Sequence, residues 1–151
     1  LLFTRRAEHL GEHPGQMRFP GGAREPDDGD IVDTAIRETG EEIGAGPEEI
    51  AVVGRLDDIQ TVSEYAVTPV VGRIADREYV PDEREVAEIA VLPVAPFLDA
   101  ANHEVETRSH PVRGEVPVHY FHVRGYTVWG ATARILRNLF EVAADWRPPA
   151  E

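Results

Sequence analysis

The chain has 151 residues, 42% of them hydrophobic, which suits one domain with a real core. Its net charge is −13, from 28 acidic and 15 basic residues, and every basic residue is an arginine. Such a surface excludes nucleic acid as a partner. The lack of cysteine excludes disulfides and thiol catalysis, and no apolar run is long enough to span a membrane.

An acidic surface keeps a protein soluble through self-repulsion, a lever that halophiles use. Hyperthermophile composition leans on lysine with glutamate, and lysine does not occur here. A salt-loving, cytoplasmic setting is therefore expected, and no signal-peptide pattern opens the chain. The first residue is Leu1 rather than Met, so an N-terminal piece is expected ahead of it. No repeat, linker or composition shift divides residues 1–151, which are expected to form a single domain.

Leu1 to Arg6 reads as a short strand that ends at two arginines. Residues 7–16 form a loop marked by Gly11, Pro14 and Gly15. Pro20 favours an extended residue before it, and Gly21 and Gly22 allow close backbone approach to a phosphate or a metal. An acidic loop then leads into a helix. Asp30 is a good N-cap, Asp33 lies near the positive end, and Ile31, Ala35, Ile36 and Ile43 supply an apolar stripe. Gly40 costs about 1 kcal/mol against alanine in a helix interior, for no reason visible in the sequence beyond room beside a metal. Gly44, Gly46 and Pro47 stop the helix.

Residues 49–56 read as a strand, 57–64 as a polar loop, and 65–74 as a second strand that Pro69 sends to an edge or a bulge. Residues 85–93 follow as a strand and 96–100 as a short helix. Residues 102–114 read as a loop or edge hairpin, and 116–123 as a strand with His119 and His122 on opposite faces. The six histidines show no metal-ligand spacing, so a structural or solvated role is expected of them. Trp129 opens a closing helix that runs to about Asp145, and Arg147-Pro148-Pro149 is tail.

The chemistry concentrates at the end of the first helix. Glu38, Glu41 and Glu42 stand at i, i+3 and i+4, which share one helical face. Three like charges there repel. A hard divalent cation with oxygen ligands, Mg²⁺ or Mn²⁺, would relieve that repulsion. Arg37 lies off that line and could pair with Asp28 or Glu41. A solvated acidic helix end fits the same spacing.

Gly22, Asp28, Arg37-Glu38-Thr39, Glu41-Glu42 and Gly44-Ala45 resemble the signature of the Nudix hydrolases: Gly, five residues, Glu, seven residues, Arg-Glu-apolar-x-Glu-Glu-x-Gly-apolar. The chain departs from it at Asp28, in the eight residues between Asp28 and Arg37, and at Thr39 and Ala45. A second stretch, His13-x-Gly15-Gln16-x-x-Phe19-Pro20-Gly21-Gly22 with Leu10 and Arg6 before it, resembles the coenzyme A pyrophosphatase branch of that superfamily. The longer loop before Arg37 fits the same branch, as do residues 61–72 and Trp129-Gly130-x-Thr132-Ala133. Gly11 replaces an arginine usual there, and Glu64 a glycine.

The resemblance implies an α/β/α sandwich with a mixed sheet between helices. It implies that Glu38 and Glu42 ligate the metal with the Gly22 carbonyl, that Glu41 is a further ligand or the base, and that Arg37 orients the glutamates. Arg6, Gln16, Arg18, Phe19, Gly21 and Arg24 are then the expected contacts to a small-molecule nucleotide substrate, with Arg5 a further candidate for its phosphates. Glu64, Glu85 or Glu88 could supply an acid from outside the signature. The expected reaction is hydrolysis of coenzyme A or its thioesters to 3′,5′-ADP and 4′-phosphopantetheine. Hydrolysis of ADP-ribose or nucleoside triphosphates is the first alternative. A non-catalytic nucleotide-sensing module is the second, against which the retained glutamates argue. A homodimer is left open.

Overall fold

The computed structural model describes residues 1–11, 15–61 and 65–146. His13, Glu64 and the tail Arg147-Pro148-Pro149, all named above, lie outside the described residues. Two compact units divide the chain: Leu2–Val91, and Leu1 together with the chain from Leu92 onward.

In the first unit, strand β1 (Leu2–Arg6) lies between β2 (Met17–Arg18) and β7 (Val86–Val91), antiparallel to both. Phe3 and Thr4 on β1 are fully buried, and Val86 and Ala90 on β7 are buried. The Thr4 hydroxyl donates to the Arg18 carbonyl at 3.4 Å, so the buried polar group has a partner. The register slips between Arg5 and Arg6, where the Arg6 amide donates to Gln16 O at 3.0 Å. That bond closes the loop after β1 and sets the start of the run from Gln16 to Gly22.

Helix α1 (Ile31–Ile43) begins where the sequence placed it. The Asp30 side chain accepts from the Asp33 amide at 2.9 Å, one of the orphan donors of the first turn. At its other end Gly44 takes the left-handed conformation, with φ of 75°, and donates its N–H to Gly40 O. Gly40 has a local reason: a Cβ there would stand 3.1 Å from the Ala45 carbonyl oxygen as the chain folds back. Ile43 is fully buried and Ala45 nearly so.

Beyond a 3₁₀ turn at Pro47–Glu49, β3 (Ile50–Arg55) pairs antiparallel with β6 (Val70–Ile74), and β4 (Ile59–Gln60) with β5 (Ala66–Val67). The polar loop expected over 57–64 thus contains β4. The strand expected over 65–74 is broken at Pro69, whose carbonyl accepts from Leu56 N at 3.0 Å.

The second unit carries α2 (Ala95–Leu98), the meander β8 (His103–His110), β9 (Gly114–Val123) and β10 (Tyr126–Trp129), and α3 (Gly130–Ala144). Its core is aromatic. Phe97, Phe121 and Phe140 are all buried, with ring centroids 5.9–6.2 Å apart. His119 is buried as well, 2.9 Å from the His103 ring, and burial lowers its pKa to about 4. His122, one face over, is exposed and meets Glu104 at 3.0 Å. The alternation read from the sequence holds, and both residues have structural or surface settings. Trp129 is extended and closes β10, so α3 starts one residue later than expected.

Among the described residues the composition is mixed α/β, with several small sheets and three α-helices. Every ladder among the described residues is antiparallel, so the parallel pair that a mixed sheet requires is not among them. No helix among the described residues is long and apolar enough to cross a membrane.

Candidate active site

The expected site residues lie in the unit Leu2–Val91, and Arg37 is the hub of the arrangement. Its Nε and Nη2 donate to Asp28 Oδ1 and Oδ2 at 2.9 and 3.0 Å, a bidentate pair. Nη1 reaches Glu38 Oε1 at 3.1 Å and both Glu41 oxygens at 3.3 Å. Nη2 also donates to the Ala23 carbonyl at 3.0 Å, and Glu25 lies 3.5 Å from Nη1. One guanidinium therefore ties the loop after Gly22 to the carboxylates of α1. The sequence offered Asp28 or Glu41 as partners, and Arg37 takes both.

Asp28 is buried and fully partnered. Besides Arg37 it accepts from the Glu25 amide at 2.8 Å and from the Thr34 hydroxyl at 2.9 Å. The Arg37 hydrogen bonds, followed by that amide, hold its pKa far below the usual carboxylate range. The same bond to Asp28 raises the Arg37 pKa. Asp28 is thus a permanent anion that fixes a permanent cation, although it stands where the signature places a glutamate. Arg24 Nη2 donates to the carbonyls of Asp28 and Gly29 at 3.3 and 3.0 Å and braces the same loop.

The three glutamates share a face of α1 by position, but their environments differ sharply. The Glu41 side chain is 57% exposed, that of Glu38 is 13% exposed and that of Glu42 has no exposure. Glu38 lies against Gly22, where a Cβ would come within 2.3 Å of Glu38 Oε1. A side chain at position 22 would displace the Glu38 carboxylate, which gives the second glycine of the Gly21-Gly22 pair a local reason.

Glu42 is the most perturbed of the three. Arg18 Nη2 donates to Glu42 Oε1 in a very short contact, whereas Glu42 Oε2 is buried without a hydrogen-bond partner. Burial raises its pKa to about 7, and the charges of Glu38 and Glu85 add to that, against the pull of Arg18 and the Gly21 amide. A buried carboxyl oxygen without a partner is costly, and such atoms mark ion sites or strain.

Among the described residues, no three His, Asp or Glu side chains converge closely enough to hold an ion as they stand. Two guanidiniums divide the glutamates instead: Arg18 holds Glu42, and Arg37 holds Glu38 and Glu41. The donor set nonetheless fits a hard divalent cation. It offers carboxylate oxygens on adjacent helical turns, an orphaned oxygen on Glu42, and a glycine backbone against Glu38.

The remaining expected residues are dispersed along the edge of this arrangement. Arg6 closes β1 and Gln16 accepts its amide. Phe19 is stacked on the buried Phe3 ring at 4.8 Å, which gives it a packing role. Gly21 has open space around it. Arg5 is engaged with Glu88 at 3.1 Å and with Glu8 at 3.4 Å. Of the outside acids, Glu88 faces Arg5, while Glu85 is exposed and acts on Glu42 through its charge. The segment carrying Glu85 is anchored to α1 by the Asp82 amide, which donates to the Glu42 carbonyl at 2.9 Å. The sequence did not reveal the Arg18–Glu42 pair, since a spacing of 24 residues carries no periodic signal.

A family model described as NUDIX domain matches residues 1–115. A protein of Enterobacter sp. (strain 638) named uncharacterized Nudix hydrolase NudL is 38% identical over 143 residues, covering 92% of this chain and 72% of the relative. Its namesake from Yersinia pestis (strain Pestoides F) is 35% identical over 141 residues, covering 92% and 70%. Among solved structures, the MutT protein of Methanosarcina mazei Go1 is similar with a TM-score of 0.51 and 22% identity, over 64% of this chain and 69% of that one. That last likeness concerns the fold alone.

Proposed function

The chain belongs to the Nudix family, and from that premise we propose that it is a metal-dependent pyrophosphatase whose substrate is coenzyme A or one of its thioesters. The reaction class is hydrolysis of a diphosphate bond. The observation that carries the site assignment is the buried Glu42 oxygen without a partner, beside a Glu38 carboxylate packed against the Gly22 backbone.

Glu38 and Glu42 are the ligands in this reading, with the Gly22 carbonyl completing the set and Glu41 left free for the proton. A divalent cation, Mg²⁺ or Mn²⁺, supplies charge neutralisation to the diphosphate and acidifies the attacking water when bound. The chain's own residues do the rest. Arg37, locked on Asp28, holds Glu38 and Glu41 in place. Glu41, the exposed member, has solvent access and takes the proton from the attacking water. Water adds across the P–O–P bridge, one phosphorus gains a hydroxyl, and the other leaves with the bridging oxygen. For coenzyme A the products are 3′,5′-ADP and 4′-phosphopantetheine. Arg18 lies on the run that approaches Gly22, with Arg6 at the end of β1 before it and Arg24 just beyond it, and Arg18 leads these as the side chain to meet the phosphates.

The choice of coenzyme A over other diphosphates is supported by the Gln16-to-Gly22 run and by the loop between Asp28 and Arg37, which is one residue longer than the general signature. The test is a panel of coenzyme A, acetyl-coenzyme A, ADP-ribose and nucleoside triphosphates, each with Mg²⁺ and with Mn²⁺. The proposal expects release of 3′,5′-ADP with kcat/KM highest for the coenzyme A compounds. A higher kcat/KM for ADP-ribose or a triphosphate overturns the substrate, and nucleotide binding with no turnover overturns the enzyme.

A further inference from the structure

We propose that Arg18 is a resident counter-ion for Glu42 that divalent metal displaces, and that the displaced guanidinium then serves the diphosphate. The inference rests on the site reading above and adds a binding order to it.

Glu42 Oε1 is already taken by Arg18, and Glu42 Oε2 is enclosed. The Glu42 side chain has no exposure, whereas Arg18 is 29% exposed and is the member of the pair that meets solvent. An incoming cation therefore finds no open oxygen on Glu42 until the pair parts. It also meets a like charge in the guanidinium, and two cations a few ångströms apart repel strongly in a poorly solvated site. Arg18 lies on a two-residue edge strand, four residues before Gly22. Its backbone is held by the ladder with β1, and its carbonyl accepts from Thr4. Only the side chain needs to move. Its planar fork matches a phosphate as well as it matches a carboxylate.

The alternative is that Arg18 stays on Oε1 and aims Oε2 at the metal, a positioning role. The two differ in sign. A displaced competitor costs metal affinity, so its removal tightens metal binding. A positioning arginine supports metal affinity, and its removal weakens it, by about 10–100-fold for such partners.

The experiment titrates Mn²⁺ into the wild-type chain, Arg18→Gln and Arg18→Lys, with free Mn²⁺ read by electron paramagnetic resonance and folding checked by circular dichroism. Losing one charge-assisted hydrogen bond from the competing state is expected to tighten Mn²⁺ binding by about tenfold in Arg18→Gln. KM for the diphosphate substrate should rise by at least as much, and Arg18→Lys should restore part of both. Unchanged or weaker Mn²⁺ binding in Arg18→Gln overturns the inference and leaves the site intact. A wild-type chain that takes up no Mn²⁺ overturns the site itself. If Arg18→Gln does not fold, the wild type still decides: adding Mg²⁺ must shift the Arg18 Nε–H resonance, and a resonance that stays in place overturns the inference.

Discussion

Replacing Glu42 by glutamine should make the metal-free protein more stable at neutral pH while removing its activity. Burial lifts the Glu42 pKa from its ordinary 4.5 to about 7. A carboxyl group whose folded pKa is raised gives full stability below the unfolded value. That stability drains away as the pH rises through the folded value. At about 1.4 kcal/mol for each pH unit between the two, ionising Glu42 costs the folded state about 3 kcal/mol. About 2 kcal/mol of it should develop between pH 5.5 and 8, a window clear of the pI near 4.8. Glutamine keeps an oxygen for Arg18 and has no charge to bury. Urea unfolding in EDTA, followed by circular dichroism at several pH values, gives the difference between the two proteins. It should grow by about 2 kcal/mol in favour of Glu42→Gln across that window, and added Mg²⁺ should reverse it by stabilising the wild type alone. Parallel stability curves across the window would refute the claim that Glu42 is a buried carboxyl waiting for a cation.

Gly22→Ala should push Glu38 off the glycine backbone, because the new Cβ would meet its oxygen at 2.3 Å. Since Gly22 itself is exposed, circular dichroism should be unchanged while metal-dependent turnover falls by at least tenfold. Wild-type turnover would show that Glu38 has no need of that contact. Asp28→Asn keeps one oxygen but breaks the bidentate hold on Arg37, so Mn²⁺ affinity or kcat should drop about 10–100-fold with KM little altered. A change confined to KM would place Asp28 with the substrate instead. The charge of −13 with no lysine predicts a melting temperature that climbs as KCl approaches molar concentrations, and a flat response in a thermal scan would dispose of the salt-loving reading.

Helix α1 was readable in advance because its ends are written in local chemistry. Asp30 caps it and Gly44 terminates it, and both are set by neighbours within four residues. Arg37 could be matched to Asp28 or Glu41 for a related reason: both lie within nine residues of it in the sequence. What stayed hidden depends on distant partners. Residues 102–114 read as a loop or an edge hairpin, and the hairpin is what forms: residues 103–110, with His103, Glu104, Glu106, Arg108 and His110, are an eight-residue edge strand whose length the sequence did not reveal. Pairing with β9 at every position supplies the order that their polar side chains do not. Gly40 looked like room for a metal and proved to be room for the returning chain at Ala45. Arg18 was expected at the substrate, and its partner in the structure is a glutamate on a different element.

The Arg18–Glu42 pair bears on how an acidic protein can turn over an anionic substrate at all. The arginines around the Gly22 loop are committed: Arg5 to Glu88 and Glu8, Arg18 to Glu42, Arg24 to the carbonyls of Asp28 and Gly29, and Arg37 to Asp28. Arg37 cannot be spared, because releasing it would leave the buried Asp28 uncompensated. Arg18 can be spared, provided another cation takes over Glu42. A diphosphate arriving first meets carboxylates and occupied guanidiniums, and the field repels it. A divalent cation arriving first is attracted by the same field, neutralises Glu38 and Glu42, and frees one arginine for the phosphate that follows. Metal before substrate is therefore the electrostatically favoured order. The acidity that repels the substrate is what draws in the ion that lets it bind.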